Sequence, residues 1–209
     1  LVKLFDQQTN NFDWQKLEEV TELATRYLND SLNKTETVID YINQASRSRR
    51  TIGLGIMGLG DLLILMHLRY GSEEAVALTE RIMATITATA WNISFYLARS
   101  GDSPRAASWD KEAMVRIFSQ YAERLTRPGQ ADLKSRFGTL ASCALTGEVA
   151  SNTSVTSIAP TGTIAQIAGF ITGLPEISSG IEPTFSKSTH RRDNSGEKEV
   201  NHWLIDKWQ

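Results

Sequence analysis

The chain has 209 residues, 41% hydrophobic and 22% charged, the usage of an ordinary globular protein with enough apolar material for one core or a large share of a bigger one. A net charge of −2 gives no reason to expect a nucleic acid as partner, and no apolar run reaches the roughly 18 residues of a membrane span. The single cysteine, Cys143, excludes an internal disulfide and a cysteine-based zinc cluster, and with no signal-peptide pattern the expected location is cytoplasmic.

The ends read as those of a fragment. The chain opens on Leu1 in a motif already under way and closes on the apolar set Trp203, Leu204, Ile205 and Trp208. Taken in order, Asp13 is placed to cap a helix running to about Asn29, with Glu18 and Glu19 near its start. Leu17, Val20, Ala24 and Tyr27 share its inward stripe, widened by Leu23 and Leu28. A second helix is predicted from Glu36 to Ala45, with Val38, Ile39 and Ile42 inward. Arg47, Arg49 and Arg50 lie in the polar stretch that follows and read as a solvated face rather than a phosphate site.

Gly53-Leu54-Gly55-Ile56-Met57-Gly58 matches the dinucleotide fingerprint letter for letter. The fingerprint needs a buried strand before it and an acidic residue about 20 positions later at a strand end. Here Ser46 to Arg50 is polar and basic, and Glu73 and Glu74 open a helix instead. The glycines are therefore read as close-packing positions. His67 beside apolar neighbours reads as a core or boundary residue.

Ser72 caps the next helix, whose stripe is Leu78, Ile82, Ile86, Ala90, Ile93 and Leu97, with Gly101 as its stop. Trp91, Phe95 and Tyr96 read as packing residues. Asp110 caps a further helix carrying Ala113, Ile117, Tyr121 and Leu125 inward, and Pro128-Gly129 ends it, with another short helix after. Cys143, among Ala141, Ser142 and Ala144, reads as a structural thiol with no adjacent histidine or lysine to activate it.

The most informative stretch is 157–169. A β-branched run from Thr153 to Ile158 predicts a strand, Pro160 stops it and Gly162 permits a sharp turn. Thr163 and Gln166 have capping-box spacing, which predicts a helix starting at Ile164. Strand, turn and helix start leave backbone N–H groups pointing one way, reinforced by about half a positive charge from the helix dipole. That is an anion site or an ordinary capped turn; without a lysine in the turn, it is not a Walker A loop. Beyond it, Gly169, Gly173, Pro175 and Ser178 to Gly180 predict turns, Ile181 to Arg192 an extended segment, and Asp193 to Glu199 another turn. His190, Arg191 and Arg192 read as a solvent-facing strand end, and His202 has no metal-ligand spacing.

Ser157-Ile158-Ala159-Pro160-Thr161-Gly162-Thr163-Ile164, followed by Ser179-Gly180-Ile181-Glu182-Pro183-Thr184-Phe185, resembles the C-terminal half of the ribonucleotide reductase large chain. A second block, Arg49-Arg50-Thr51-Ile52-Gly53-Leu54-Gly55-Ile56-Met57-Gly58-Leu59-Gly60-Asp61, is similar to the same family and lies upstream in the family's order. The resemblance implies an α/β fold: a fragment of the family's ten-stranded α/β barrel, helix-rich in its first two thirds. It implies one partial domain over 1–209, helical over 12–147 and carrying the phosphate loop and strands over 152–192. It further implies that Pro160, Thr161, Gly162, Thr163, Ile164 and Ala165 bind the substrate's phosphates. The family's thiyl-radical and dithiol cysteines match no position here, so no catalytic residue and no metal ligand is assigned, and the chain alone is not expected to be active.

The wording Pro160-Thr161-Gly162-Thr163-Ile164 looks more like the adenosylcobalamin-dependent (class II) branch, which implies adenosylcobalamin as cofactor. The implied partners are a ribonucleotide substrate and the remainder of the reductase polypeptide, with no nucleic acid and no membrane. Diphosphate or triphosphate substrate, allosteric sites and a homodimer are left open. The alternative of a different class is a non-catalytic helical interaction module that retains an anion-binding loop.

Overall fold

The computed structural model describes residues 1–172, 182–183, 188–193, 196–202 and 204. After a single 3-10 turn, Val2–Leu4, come β1 (Phe5–Asp6), β2 (Asn11–Phe12), α1 (Trp14–Lys34), α2 (Asp40–Arg49) and α3 (Leu59–Leu65). Then follow α4 (Glu73–Ser100), α5 (Lys111–Arg124), α6 (Ala131–Leu145), α7 (Gly162–Thr172), β3 (Ser188–Asp193) and β4 (Gly196–Asn201). Helices dominate. Among the described residues the strands make two separate antiparallel pairs, β1–β2 and β3–β4, with one isolated parallel bridge between Leu54 and Thr156. These elements fit a helix-rich α/β piece, and no closed barrel forms among them. No helix among the described residues is long and apolar enough to cross a membrane.

The chain divides into two compact units, 1–13 with 55–79 and 158–209, and 14–54 with 80–157. In the second unit α4 is the central element. Ser72 caps it by accepting from the Ala75 N–H at 3.2 Å, and Gly101 ends it with φ +79°, as the sequence requires. Ile82, Ile86, Ala90 and Leu97 of its predicted stripe are buried, joined by Ala84, Ala88, Trp91 and Phe95. The α5–α6 pair packs on that face through Met114, Phe118, Leu133, Phe137 and Leu140. Trp91 meets Phe118 edge-on at 5.2 Å, Phe95 meets Trp109 at 5.6 Å and Tyr121 stacks on Phe137 at 4.9 Å, so these rings are packing residues. Asp110 caps α5, accepting from Ala113 at 2.9 Å. The inward face of α5 is Met114 and Phe118, one residue on from the expected Ala113 and Ile117. Cys143 is partly buried against this core.

Helix α1 buries a different face from the expected one. Leu17, Thr21, Thr25 and Asn29 are inside, while Val20, Leu23 and Tyr27 are exposed. The threonines bury cheaply because each hydroxyl donates to the carbonyl four residues back, Thr21 to Leu17 and Thr25 to Thr21, both at 2.7 Å. The second helix also starts later than expected, at Asp40, and buries none of its residues; Val38, Ile39 and Ile42 are exposed.

In the first unit Phe5 pairs with Phe12 across β1–β2, both buried. His67 lies just past α3, exposed and with φ +57°, rather than in a core. The 193–199 turn is displaced: β4 already begins at Gly196, pairing Asp193 with Gly196 in a hairpin whose tip, 194–195, is outside the described residues. His190 Nδ1 lies 3.8 Å from Glu197 Oε1 across this hairpin, both exposed. His202 Nε2 lies 3.0 Å from Oδ1 of the buried Asp61, a contact no local spacing reveals.

Candidate functional site

The residues that lead into the candidate loop are fixed by a short parallel pairing in the second unit. Ile52 N–H donates to Ser154 O at 3.0 Å, Leu54 N–H to Val155 O at 2.9 Å and Ser157 N–H to Leu54 O at 3.1 Å. The expected strand is thus reduced to one bridge, with Val155 buried and Ser157 to Pro160 exposed. Gly53 has the close-packing role expected of it: a Cβ there would stand 2.6 Å from Ser157 Oγ and 3.0 Å from Ser157 Cβ. Gly58 differs. It takes φ +74° as the residue before α3, so it serves backbone conformation.

The loop itself belongs to the first unit. Ile158, Ala159 and Pro160 are exposed, and the chain turns sharply at Thr161, which has φ +56°. The left-handed conformation therefore falls on Thr161, not Gly162, and a β-branched residue there is strained. Helix α7 starts at Gly162, two residues before the expected Ile164. Thr163 lies inside the first turn and is not its cap, so the capping box with Gln166 does not form the helix start. The first intrahelical bond runs from Ala165 N–H to Thr161 O at 2.9 Å.

That geometry corrects which donors are available. Ala165 N–H is engaged and its side chain is buried. The N–H groups of Gly162, Thr163 and Ile164 have no acceptor among the described residues, and all three residues are exposed. No acidic side chain stands in the first turn to offset the positive end of the helix dipole. Among the described residues nothing lies within 4 Å of where a Gly162 Cβ would be. Thr161 Oγ1 is buried without a hydrogen-bond partner among the described residues. The arrangement suits an oxyanion over Gly162, Thr163 and Ile164. Of the Gly-Ile-Glu-Pro segment, only Glu182 and Pro183 are among the described residues.

Cys143 sits on α6, where burial first, and then Glu148, push its thiol pKa above the ordinary value. Among the described residues no group of three His, Cys, Asp or Glu is disposed to hold a metal ion. Arg50, expected on a solvated face, is instead buried beside Asn29, Ser103 and Ser151. Sequence reasoning missed it because its side-chain partners are 17 to 101 residues away.

The family model for the ribonucleotide reductase barrel domain matches residues 1–209. The chain is 36% identical over 174 residues to a vitamin B12-dependent ribonucleoside-diphosphate reductase of Mycobacterium tuberculosis, covering 83% of this chain and 20% of that protein. It is 31% identical over 194 residues to the protein of the same name from Thermoplasma acidophilum, covering 90% of this chain and 20% of that one. A ribonucleoside-diphosphate reductase subunit alpha from Chlamydia muridarum is 25% identical over 206 residues, covering 95% of this chain and 19% of the relative. The chain thus spans about one fifth of the length of these curated relatives.

Proposed function

We propose, because the chain belongs to the ribonucleotide reductase barrel-domain family, that it is the part of a reductase that holds the phosphates of a ribonucleotide. The proposed phosphate-binding stretch is Pro160, Thr161, Gly162, Thr163, Ile164 and Ala165. Within it Gly162, Thr163 and Ile164 donate their N–H groups, while Ala165 anchors the turn by its bond to Thr161 O. The single observation that carries this reading is the exposed first turn of α7, with three donors lacking acceptors and nothing within 4 Å of the Gly162 Cβ position among the described residues. Each hydrogen bond from these donors to a phosphate contributes about 1.5–3 kcal/mol. They need no reorganisation when the ligand arrives, because the helix already fixes them.

The Mycobacterium tuberculosis and Thermoplasma acidophilum relatives are named vitamin B12-dependent ribonucleoside-diphosphate reductases, from which a ribonucleoside diphosphate is proposed as substrate and adenosylcobalamin as the cofactor of the whole enzyme. When bound, adenosylcobalamin supplies the radical that begins the reduction. The one thiol, Cys143, is packed against the core of its unit, and no described residue is assigned to the cofactor. Its contacts are assigned to the remainder of the polypeptide, as are the catalytic cysteines, and the chain alone is expected to reduce nothing. That remainder is the proposed partner. Uncovered apolar side chains support this, Ile164, Ile167 and Ile171 along α7 and Leu23 and Tyr27 on α1.

Amide hydrogen exchange in the reductase polypeptide that carries this chain tests the loop reading. Adding ribonucleoside diphosphate is expected to slow exchange at Gly162, Thr163 and Ile164 and to leave Ala165 unchanged. Nucleotide binding with no slowing in that turn removes the loop from the phosphate site.

A further inference from the structure

Arg50 carries three unfavourable features at once. It is 4% exposed, and no carboxylate pairs with it among the described residues. Its backbone is left-handed, φ +52°, where it ends α2 by donating its N–H to Ser46 O at 2.8 Å. A glycine would make that cap without steric cost, so the side chain must explain the residue. Burial alone lowers the guanidinium pKa. A buried cation without a counter-charge is retained only where its hydrogen bonds are complete and specific.

Those bonds gather four segments. Nε donates to Ser151 O at 2.8 Å, and Nη2 to Asn29 Oδ1 at 2.9 Å, Asn33 Oδ1 at 2.7 Å and Ser103 Oγ at 2.8 Å. The backbone answers in the other direction: Asn152 Nδ2 donates to Arg50 O at 2.9 Å, and Thr153 Oγ1 to Arg49 O at 2.7 Å. Ser94 locks the same place, its hydroxyl donating to Asn152 Oδ1 at 2.8 Å while accepting Asn152 N–H at 3.0 Å. From this knot the segments 52–54 and 154–157 run parallel, joined by the three backbone bonds already described. The next residues along the chain are Ile158 to Pro160 and then the strained Thr161. A slip of one residue in this pairing would deliver the wrong residue to the turn.

We propose that Arg50 is a positioning residue for the phosphate loop: it fixes the register of 151–157, and through the continuous chain the point at which Thr161 turns into α7. This rests on the phosphate reading of the loop, and it adds a requirement at a residue that touches no substrate.

The test uses the reductase polypeptide carrying this chain, with Arg50→Met, Arg50→Lys, Asn33→Ala, Ser103→Ala and Gly162→Val. Arg50→Met is expected to raise the KM for nucleotide about tenfold, the loss of one charged hydrogen bond at the loop, while kcat changes by less than about threefold. Arg50→Lys keeps the charge but not the planar fork, and recovers part of the affinity. Exchange is expected to quicken in Arg50→Met at the Leu54 and Ser157 amides and also at Ala165, whose bond to Thr161 O closes the turn. A fall in Tm with wild-type KM at a temperature well below it overturns the proposal. So does faster exchange at Leu54 and Ser157 with the Ala165 amide unchanged. Where Arg50→Met does not fold, Asn33→Ala and Ser103→Ala each remove one acceptor from the guanidinium. A severalfold rise in KM in these folded variants supports the proposal, and wild-type KM in both overturns it. Failure of the loop reading has a separate signature, Gly162→Val with unchanged KM, and the exchange data then decide on Arg50 independently.

Discussion

Replacing Thr161 by glycine is expected to move stability and substrate affinity in opposite directions. Thr161 holds φ +56°, a conformation that costs a β-branched residue of order 1–3 kcal/mol. Its hydroxyl is buried without a partner among the described residues, an added penalty of about 1–3 kcal/mol where no ligand satisfies it. Glycine removes both terms and returns about 0.5–1 kcal/mol as backbone entropy, so a net gain of about 1 kcal/mol or more is expected. In a domain of this size that raises Tm by roughly 2–4 °C. Substrate binding is expected to weaken by about tenfold, because the turn that aims the first-turn donors loses its restraint. Thr161→Ala separates the parts, removing the hydroxyl while keeping a Cβ in the left-handed region. The assays are thermal unfolding without nucleotide and nucleotide affinity by calorimetry. A Thr161→Gly protein that is less stable than the parent, or more stable with unaltered affinity, refutes the link between strain and binding.

Two further outcomes follow from packing and ionisation. Gly53→Ala is expected to destabilise by about 1–3 kcal/mol, because its Cβ would stand 2.6 Å from Ser157 Oγ and 3.0 Å from Ser157 Cβ. The double change Gly53→Ala with Ser157→Gly should recover most of the loss, and a denaturant double-mutant cycle showing simple additivity would contradict the contact. Cys143 should alkylate more slowly than a free thiol near neutral pH, since burial and Glu148 raise its pKa and so reduce its thiolate fraction at any given pH. Glu148→Gln should speed that reaction, and a rate equal to a model thiol would show the site to be open.

What the sequence made legible was local. Ser72 and Asp110 cap their helices with the bonds their positions imply, and Ile82, Ile86, Ala90 and Leu97 of the α4 stripe are buried as their spacing demands. The inward face of α1 was not legible, because Thr21 and Thr25 satisfy their hydroxyls within the helix and Asn29 is drawn inside by Arg50. Apolar counting assigns that face to Val20, Leu23 and Tyr27, which the described structure leaves exposed. The start of a helix close to Gly162 was legible, but its details were not: the left-handed residue is Thr161 rather than Gly162, and α7 begins before Thr163 and Gln166, whose capping-box spacing predicts a start at Ile164. Arg50 was unreadable for a different reason. Nothing in the basic stretch 47–50 shows that one arginine pairs with Asn29, Ser103 and Ser151 while Arg47 stays in solvent against Glu36.

The most direct measurement of the central claim is nucleotide affinity in the reductase polypeptide carrying Gly162→Val, with the nucleoside lacking phosphates as control. Among the described residues nothing stands within 4 Å of the Gly162 Cβ position, so the variant is expected to fold normally and to obstruct only a ligand lying on the first turn of α7. The account expects ribonucleoside diphosphate affinity to fall about tenfold or more, with binding of the nucleoside unchanged. A folded Gly162→Val protein that binds the diphosphate as tightly as the parent would contradict it.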